Sequence, residues 1–191
     1  MDSTTDELLM LRVRDGEVEK LGVLYERHRT PLFSFFVRLT GNAQAGEDLV
    51  HDVFLRMLKY RHTFETGNRF TTWMYQVARN AHFDSWRRRQ HEVSLDAQEM
   101  EDREALLSPD PTPDVKLRHD QEVKLLQKAL AGLPVESREV LVLSRFQNLK
   151  YEQIAGILDC GVGAVKMRVH RALEELRVKF SQLAGEEAYE L

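Results

Sequence analysis

The stretch Tyr151 to Leu176, YEQIAGILDCGVGAVKMRVHRALEEL, leaves this chain few choices of fold. Ile154, Ala155 and Leu158 fall on one face of a first helix. Val162, Val165, Val169, Ala172 and Leu176 recur at three- and four-residue steps along a second. Each set forms one apolar stripe that must be covered. Between them, Asp159-Cys160-Gly161 supplies a polar residue, a small buried thiol and a glycine free to take positive φ. Two amphipathic helices joined by so tight a turn form a helix-turn-helix, whose second helix has the shape to enter a DNA major groove. Lys166, Arg168, His170 and Arg171 lie off its apolar stripe. The competing reading is an ordinary helical hairpin with a solvated basic face.

The same period runs through the rest of the chain. With 10 glycines and 5 prolines in 191 residues, breaks are few and the fold class expected is all-α. Helices are predicted over about 6–14 and 18–28, then over a short segment opened by Thr30-Pro31 and closed at Thr40-Gly41-Asn42. A long helix over about 43–60 carries Leu49, Val50, Val53, Phe54, Met57 and Leu58 as a wide apolar stripe. A loop over 61–69 and a helix over 70–89 complete an N-terminal domain, residues 1–90. Residues 91–114 read as an acidic linker ending in Ser108-Pro-Asp-Pro-Thr-Pro-Asp114, where the prolines favour extended chain. Such a linker spans roughly 25–30 Å as a flexible coil and about 80 Å when extended. A second helical domain over 115–183 contains the helix-turn-helix, and 184–191 form a tail.

A net charge of −4 hides strong segregation. From Arg69 to His91 five arginines (69, 79, 87, 88, 89) face Asp84 alone, whereas Glu92 to Glu122 holds ten acids against Arg103, Lys116 and Arg118. Two basic regions therefore flank an acidic middle, and local patches decide whether a surface attracts phosphate. No apolar run is long enough for a membrane helix. The acidic N-terminus does not resemble a signal peptide. One cysteine makes neither an internal disulfide nor a cysteine zinc site, which fits a reducing cytoplasm.

Two polar constellations could carry function. Over Phe70–Arg89, Met74, Val77, Ala78 and Ala81 give a narrow buried face, and the other faces mix aromatics, Asn80, Asp84 and arginines. Rings that stack on bases beside arginines that hold phosphates suit unpaired nucleic acid. The plain alternative puts Trp73, Phe83 and Trp86 in the core. The second constellation, Glu47, Asp48, His51, Asp52 and Arg56, lies behind the apolar stripe of 43–60. Its His-Asp pair invites a divalent-metal hydrolase reading, but no ligand motif supports it, so no metal and no cofactor is expected. A solvated face or a partner-docking face accounts for it better. No phosphate loop, nucleophile elbow or zinc-protease motif is present, and Cys160 reads as packing.

In their order along the chain these parts resemble the extracytoplasmic-function (ECF) group of bacterial sigma-70 factors. Leu24-Tyr-Glu-Arg-His through Leu39-Thr-Gly41 is similar to the first conserved region. Glu47-Asp-Leu-Val-His-Asp-Val-Phe-Leu-Arg56 is similar to the segment that docks on the clamp helices of core RNA polymerase. Phe70 to Asn80, with Asp84 and Arg87-Arg-Arg89, resembles the helix that melts and reads the −10 element. Leu133-Pro134, Arg138-Glu139, Tyr151 to Ala155 and Val165 to Arg168 resemble the −35-reading domain. The resemblance implies a cytoplasmic transcription initiation factor, monomeric when free and not an enzyme. Its partners would be core RNA polymerase, promoter DNA and an anti-sigma factor.

It further implies core docking by Glu47, Asp48, His51, Asp52 and Arg56. Phe64, Trp73, Asn80, Asp84, Arg87 and Arg88 would serve −10 recognition and melting. Ala164, Lys166, Met167, Arg168, His170 and Arg171 would serve −35 binding. Gly161, Ala164 and Met167 depart from the family's usual residues, which bears on the promoter sequence read. The acidic linker would lie in the polymerase's nucleic-acid channel. A free-standing helix-turn-helix regulator, which would bind duplex DNA without polymerase, is the rival reading.

Overall fold

The computed structural model describes residues 4–93 and 123–187, with side chains over 4–89 and 123–185. Among the described residues every regular element is a helix, with no strand. Helix α1 (Asp6–Arg14) starts where Thr5 Oγ1 accepts from the Leu8 amide. Helix α2 (Lys20–Thr40) ends at Gly41, whose φ of 69° is the left-handed cap a glycine adopts without strain. Helix α3 (Ala43–Lys59) is capped by Asn42, whose side-chain oxygen accepts from the Ala45 amide. A 3₁₀ turn (Arg61–Thr63) leads to α4 (Phe70–Val93). The expected break before Pro31 is absent, because α2 runs through it. An interior proline costs about 3 kcal/mol, and burial of Leu24, Leu32, Phe35, Phe36, Val37 and Leu39 along α2 outweighs that.

Helices α2 and α3 pack tightly at Gly46, where an added Cβ would meet Val37 Cγ2 at 3.0 Å and the Phe33 ring at 3.4 Å. The stripe of α3 (Leu49, Val50, Val53, Phe54, Met57) fills the space between α2 and α4. Glu7 of α1 accepts from the Phe70 amide at 3.2 Å, satisfying one free donor at the start of α4. Helix α4 reaches Val93, three residues into the expected linker, and the rest of that linker lies outside the described residues.

The C-terminal part is a second helical layer. A helix over 123–131, α5, is tied to α6 (Val135–Leu141) by Arg138, which donates to the Ala131 carbonyl, and α6 passes into a π-turn (Val142–Phe146). Helices α7 (Tyr151–Leu158) and α8 (Val162–Glu187) form the helix-turn-helix. Gln153 Oε1 reaches back to accept from the Lys150 amide at 3.0 Å and fixes the start of α7. In the turn it is Asp159, at φ 49°, that takes the left-handed conformation, and not Gly161 as expected.

The two layers touch. Tyr75 of α4 donates its hydroxyl to Gln147 Oε1 at 2.8 Å, and Gln76 donates to the Gly156 carbonyl at 2.8 Å. Arg79 Nε lies 3.1 Å from one oxygen of the buried Glu139 and donates to the other at 3.2 Å. Arg138 donates to the Leu39 carbonyl at the end of α2, and the Arg38 guanidinium sits 4.4 Å from the centre of the Phe146 ring. Burial pushes the Glu139 carboxyl above its usual range, although Arg79 pulls it back.

Candidate nucleic-acid interface

Helix α8 separates core from interface cleanly. Val165, Val169 and Ala172 are buried, and Ala164, Lys166, Met167, Arg168, His170 and Arg171 are all exposed. At 100° per residue, Met167, His170 and Arg171 point away from the buried stripe, with Lys166 and Arg168 on opposite flanks. Met167 is 53 % exposed, unusual for so large an apolar side chain. His170 Nε2 lies 3.3 Å from Glu174.

On α4 the predicted residues divide. Asn80, Arg87 and Arg88 are exposed, and Asp84 is half-buried beside them on the same face. Trp86 is 42 % exposed, whereas Phe83 is partly covered by the Arg79 guanidinium at 4.9 Å from its ring centre. Phe64 does not offer itself to a base. It is 1 % exposed, enclosed by Trp73 and Phe70, with ring centres at 5.3 and 6.4 Å. Trp73 is also largely buried, and its indole N–H donates to Thr63 Oγ1 at 3.2 Å, so its part is to brace the loop before α4. Asp84 is not a free acceptor: Oδ2 accepts from Arg56 at 2.6 Å and Oδ1 from Arg87 at 2.7 Å. The Arg56 bond above all holds its carboxyl below the usual range.

The α3 face is also only partly as expected. Glu47, Asp48 and His51 are exposed and Asp52 is half-buried. Arg56 turns inward across the α3–α4 seam, bonding Asp52 at 3.0 Å as well as Asp84, and does not belong to the open face. Leu55 does belong to it: flanked by His51, Asp52 and Lys59 along the helix, it is 67 % exposed. Its signal was an apolar residue on the polar side of an otherwise regular stripe. Beside this face a cleft of about 300 Å³ is lined by Tyr25, Arg29, Phe33, Glu47, Val50 and His51, with the Tyr25 and His51 rings parallel. Among the described residues no group of three acids, histidines or cysteines is placed to hold a metal ion. No described helix is long and apolar enough to cross a membrane.

A helix-turn-helix with an open basic recognition helix, stacked on a helical domain with a second basic face, defines a DNA-binding protein of two helical modules. The Sigma-70 region 2 description matches residues 24–92, and the Sigma-70 region 4 description matches residues 124–176. The chain is 31 % identical over 179 residues to RNA polymerase sigma factor CarQ of Myxococcus xanthus, covering 94 % of this chain and 99 % of that one. It is 27 % identical over 177 residues to ECF RNA polymerase sigma factor SigW of Bacillus subtilis, covering 90 % and 95 % respectively. In fold it resembles the sigma factor RpoE of Bartonella quintana, solved with the anti-sigma factor NepR. That likeness has a TM-score of 0.70 at 24 % identity, over 84 % of this chain and 96 % of that one. The chain belongs to the sigma-70 family, in its ECF group.

Proposed function

We propose that this sigma factor recruits core RNA polymerase through the open face of α3, reads the −35 element with α8 and reads and melts the −10 element with α4. The observation that carries this is the simultaneous exposure of three faces of two chemistries on matched sigma regions: acidic with an exposed leucine on α3, and basic on α4 and α8. Glu47, Asp48 and Asp52 supply charge complementarity to a basic partner, Leu55 the apolar contact, and the adjacent cleft, lined by His51, a recess for a partner side chain. Arg171 and Met167, both exposed, suit base edges, an arginine for guanine and an apolar group for a thymine methyl. Lys166 and Arg168 suit phosphates.

On α4, Asn80 has the amide chemistry to pair with an unstacked base, and Arg87 and Arg88 to hold its strand. Unstacking costs a few kcal/mol that these contacts must offset. The protein performs no chemistry of its own in this scheme. The structural resemblance to RpoE of Bartonella quintana, solved with the anti-sigma factor NepR, supports control of the same kind here. The test is gel filtration of the purified chain with bacterial core RNA polymerase in moderate salt and without DNA. Co-elution supports the assignment. Failure to co-elute by a folded, inhibitor-free chain that still binds duplex DNA favours a free-standing regulator.

A further inference from the structure

Arg56 lies at the centre of a continuous chain of charge, Asp52–Arg56–Asp84–Arg87, that crosses from the open face of α3 to the basic face of α4. The links are 3.0, 2.6 and 2.7 Å. The Arg56 side chain is 21 % exposed, against 69 % for Arg87. Such hydrogen bonds between full charges are shorter and stronger than neutral ones. The arrangement has a consequence for the DNA face. Asp84 is an ionised carboxylate on a surface that must meet phosphates, where a bare negative charge repels. Arg56, approaching from beneath, offsets that charge and leaves the other carboxylate oxygen to hold Arg87. An arginine otherwise carries large rotamer freedom, and fixing it beforehand reduces the cost of ordering it on binding.

We propose that Arg56 is a positioning residue for promoter opening: it touches neither polymerase nor DNA, and through Asp84 it presents the Arg87 guanidinium to the DNA strand. This rests on the promoter-reading role proposed above for α4.

The experiment uses the full chain, bacterial core RNA polymerase, and a duplex that the wild-type holoenzyme selects from a randomised library. Core affinity and permanganate reactivity of the melted thymines are measured for Arg56→Gln, Arg87→Ala and the double variant. Arg56→Gln should keep core affinity within about twofold while opening falls by about two- to tenfold, the equivalent of ordering one long side chain. The double variant should open no worse than Arg87→Ala alone, because both changes remove one effect. Arg56→Lys should restore part of the loss, since one ammonium still reaches Asp84 but lacks the guanidinium's fork.

Losses that multiply would overturn the inference, as would a fall in core affinity as large as the fall in opening. If Arg56→Gln does not fold, Asp84→Asn takes its place, with the same loss of opening expected and unchanged opening against it. A wild-type chain that neither binds polymerase nor opens the selected duplex would overturn the proposed function as a whole. A working wild-type chain beside an unaffected Arg56→Gln would overturn this inference alone.

Discussion

Leu55 and His82 show how single residues depart from what their types lead one to expect. Leu55 has no packing role in the free chain at 67 % exposure. Covering a leucine fully is worth about 1.5–3 kcal/mol. Leu55→Ser should therefore weaken binding to core polymerase roughly ten- to hundredfold, with the thermal midpoint of the free protein unchanged. A fluorescence titration beside a thermal melt checks both. His82, 4 % exposed, has an Nδ1 with no partner among the described residues. Burial first, then the charges of Arg89 and Arg138, depress its pKa to about 4.

A histidine that resists protonation when folded contributes stability in full above about pH 6.5. That contribution is lost as pH falls through the folded value near 4, amounting to about 3 kcal/mol by linkage. His82→Leu should flatten the dependence of the thermal midpoint on pH between 6.5 and 4. An unchanged slope would assign the acid sensitivity elsewhere.

At the scale of elements, turns and helix ends decide where the functional faces point. The α7–α8 turn places Asp159 at φ 49°, a conformation that costs about 1–2 kcal/mol for a residue with a Cβ, less for Asp than for most. Gly161 is not in that region, and a Cβ there would meet nothing within 4 Å. Asp159→Gly should accordingly leave stability unchanged or raise it by up to about 1 kcal/mol. Gly161→Ala should raise it by about 0.4–1 kcal/mol through the unfolded chain. Urea denaturation measures both, and destabilisation by Gly161→Ala would contradict this account of the turn. The π-turn over Val142–Phe146 matters similarly: its wider bond, Gln147 amide to Val142 carbonyl at 3.0 Å, ends the helix where Phe146 meets Arg38 and Gln147 meets Tyr75.

For the molecule as a whole, the proposed function and the closed packing cannot both hold on a promoter. Elements at −10 and −35 lie about 25 base pairs apart, or about 85 Å of duplex. Here α7, one short turn from the recognition helix, rests against α4. The intervening 94–122 segment has contour length enough, up to about 100 Å, to let the modules part. Breaking the interface means separating Arg79 from the buried Glu139 and releasing Tyr75 from Gln147. Gly156 offers a direct test, since a Cβ there would lie 3.1 Å from Thr72 Cγ2. Gly156→Leu should wedge α7 off α4 while improving helix propensity. The expected result is a larger radius of gyration by X-ray scattering and an unchanged helical circular dichroism signal. An unaltered radius would show that the interface accommodates the side chain.

The sequence by itself determined the helices, the helix-turn-helix and the separation of α8 into a buried stripe and an open basic face, because helical periodicity is a local property. The break between α2 and α3 was legible as well, in Thr40-Gly41-Asn42, because a glycine cap and a side-chain cap act on their immediate neighbours. Pro31 misled because local propensity marks a break where burial of the whole α2 face prevails. The surroundings of Phe64, Arg56 and Asp84 were not legible, because an aromatic or charged residue looks the same in sequence whether it faces solvent or a neighbouring helix. Only the tertiary structure enclosed Phe64 between Trp73 and Phe70 and turned Arg56 toward a carboxylate 28 residues away. It alone set Arg79 against Glu139, 60 residues on, because meetings between distant segments depend on how whole faces pack and leave no period in the chain.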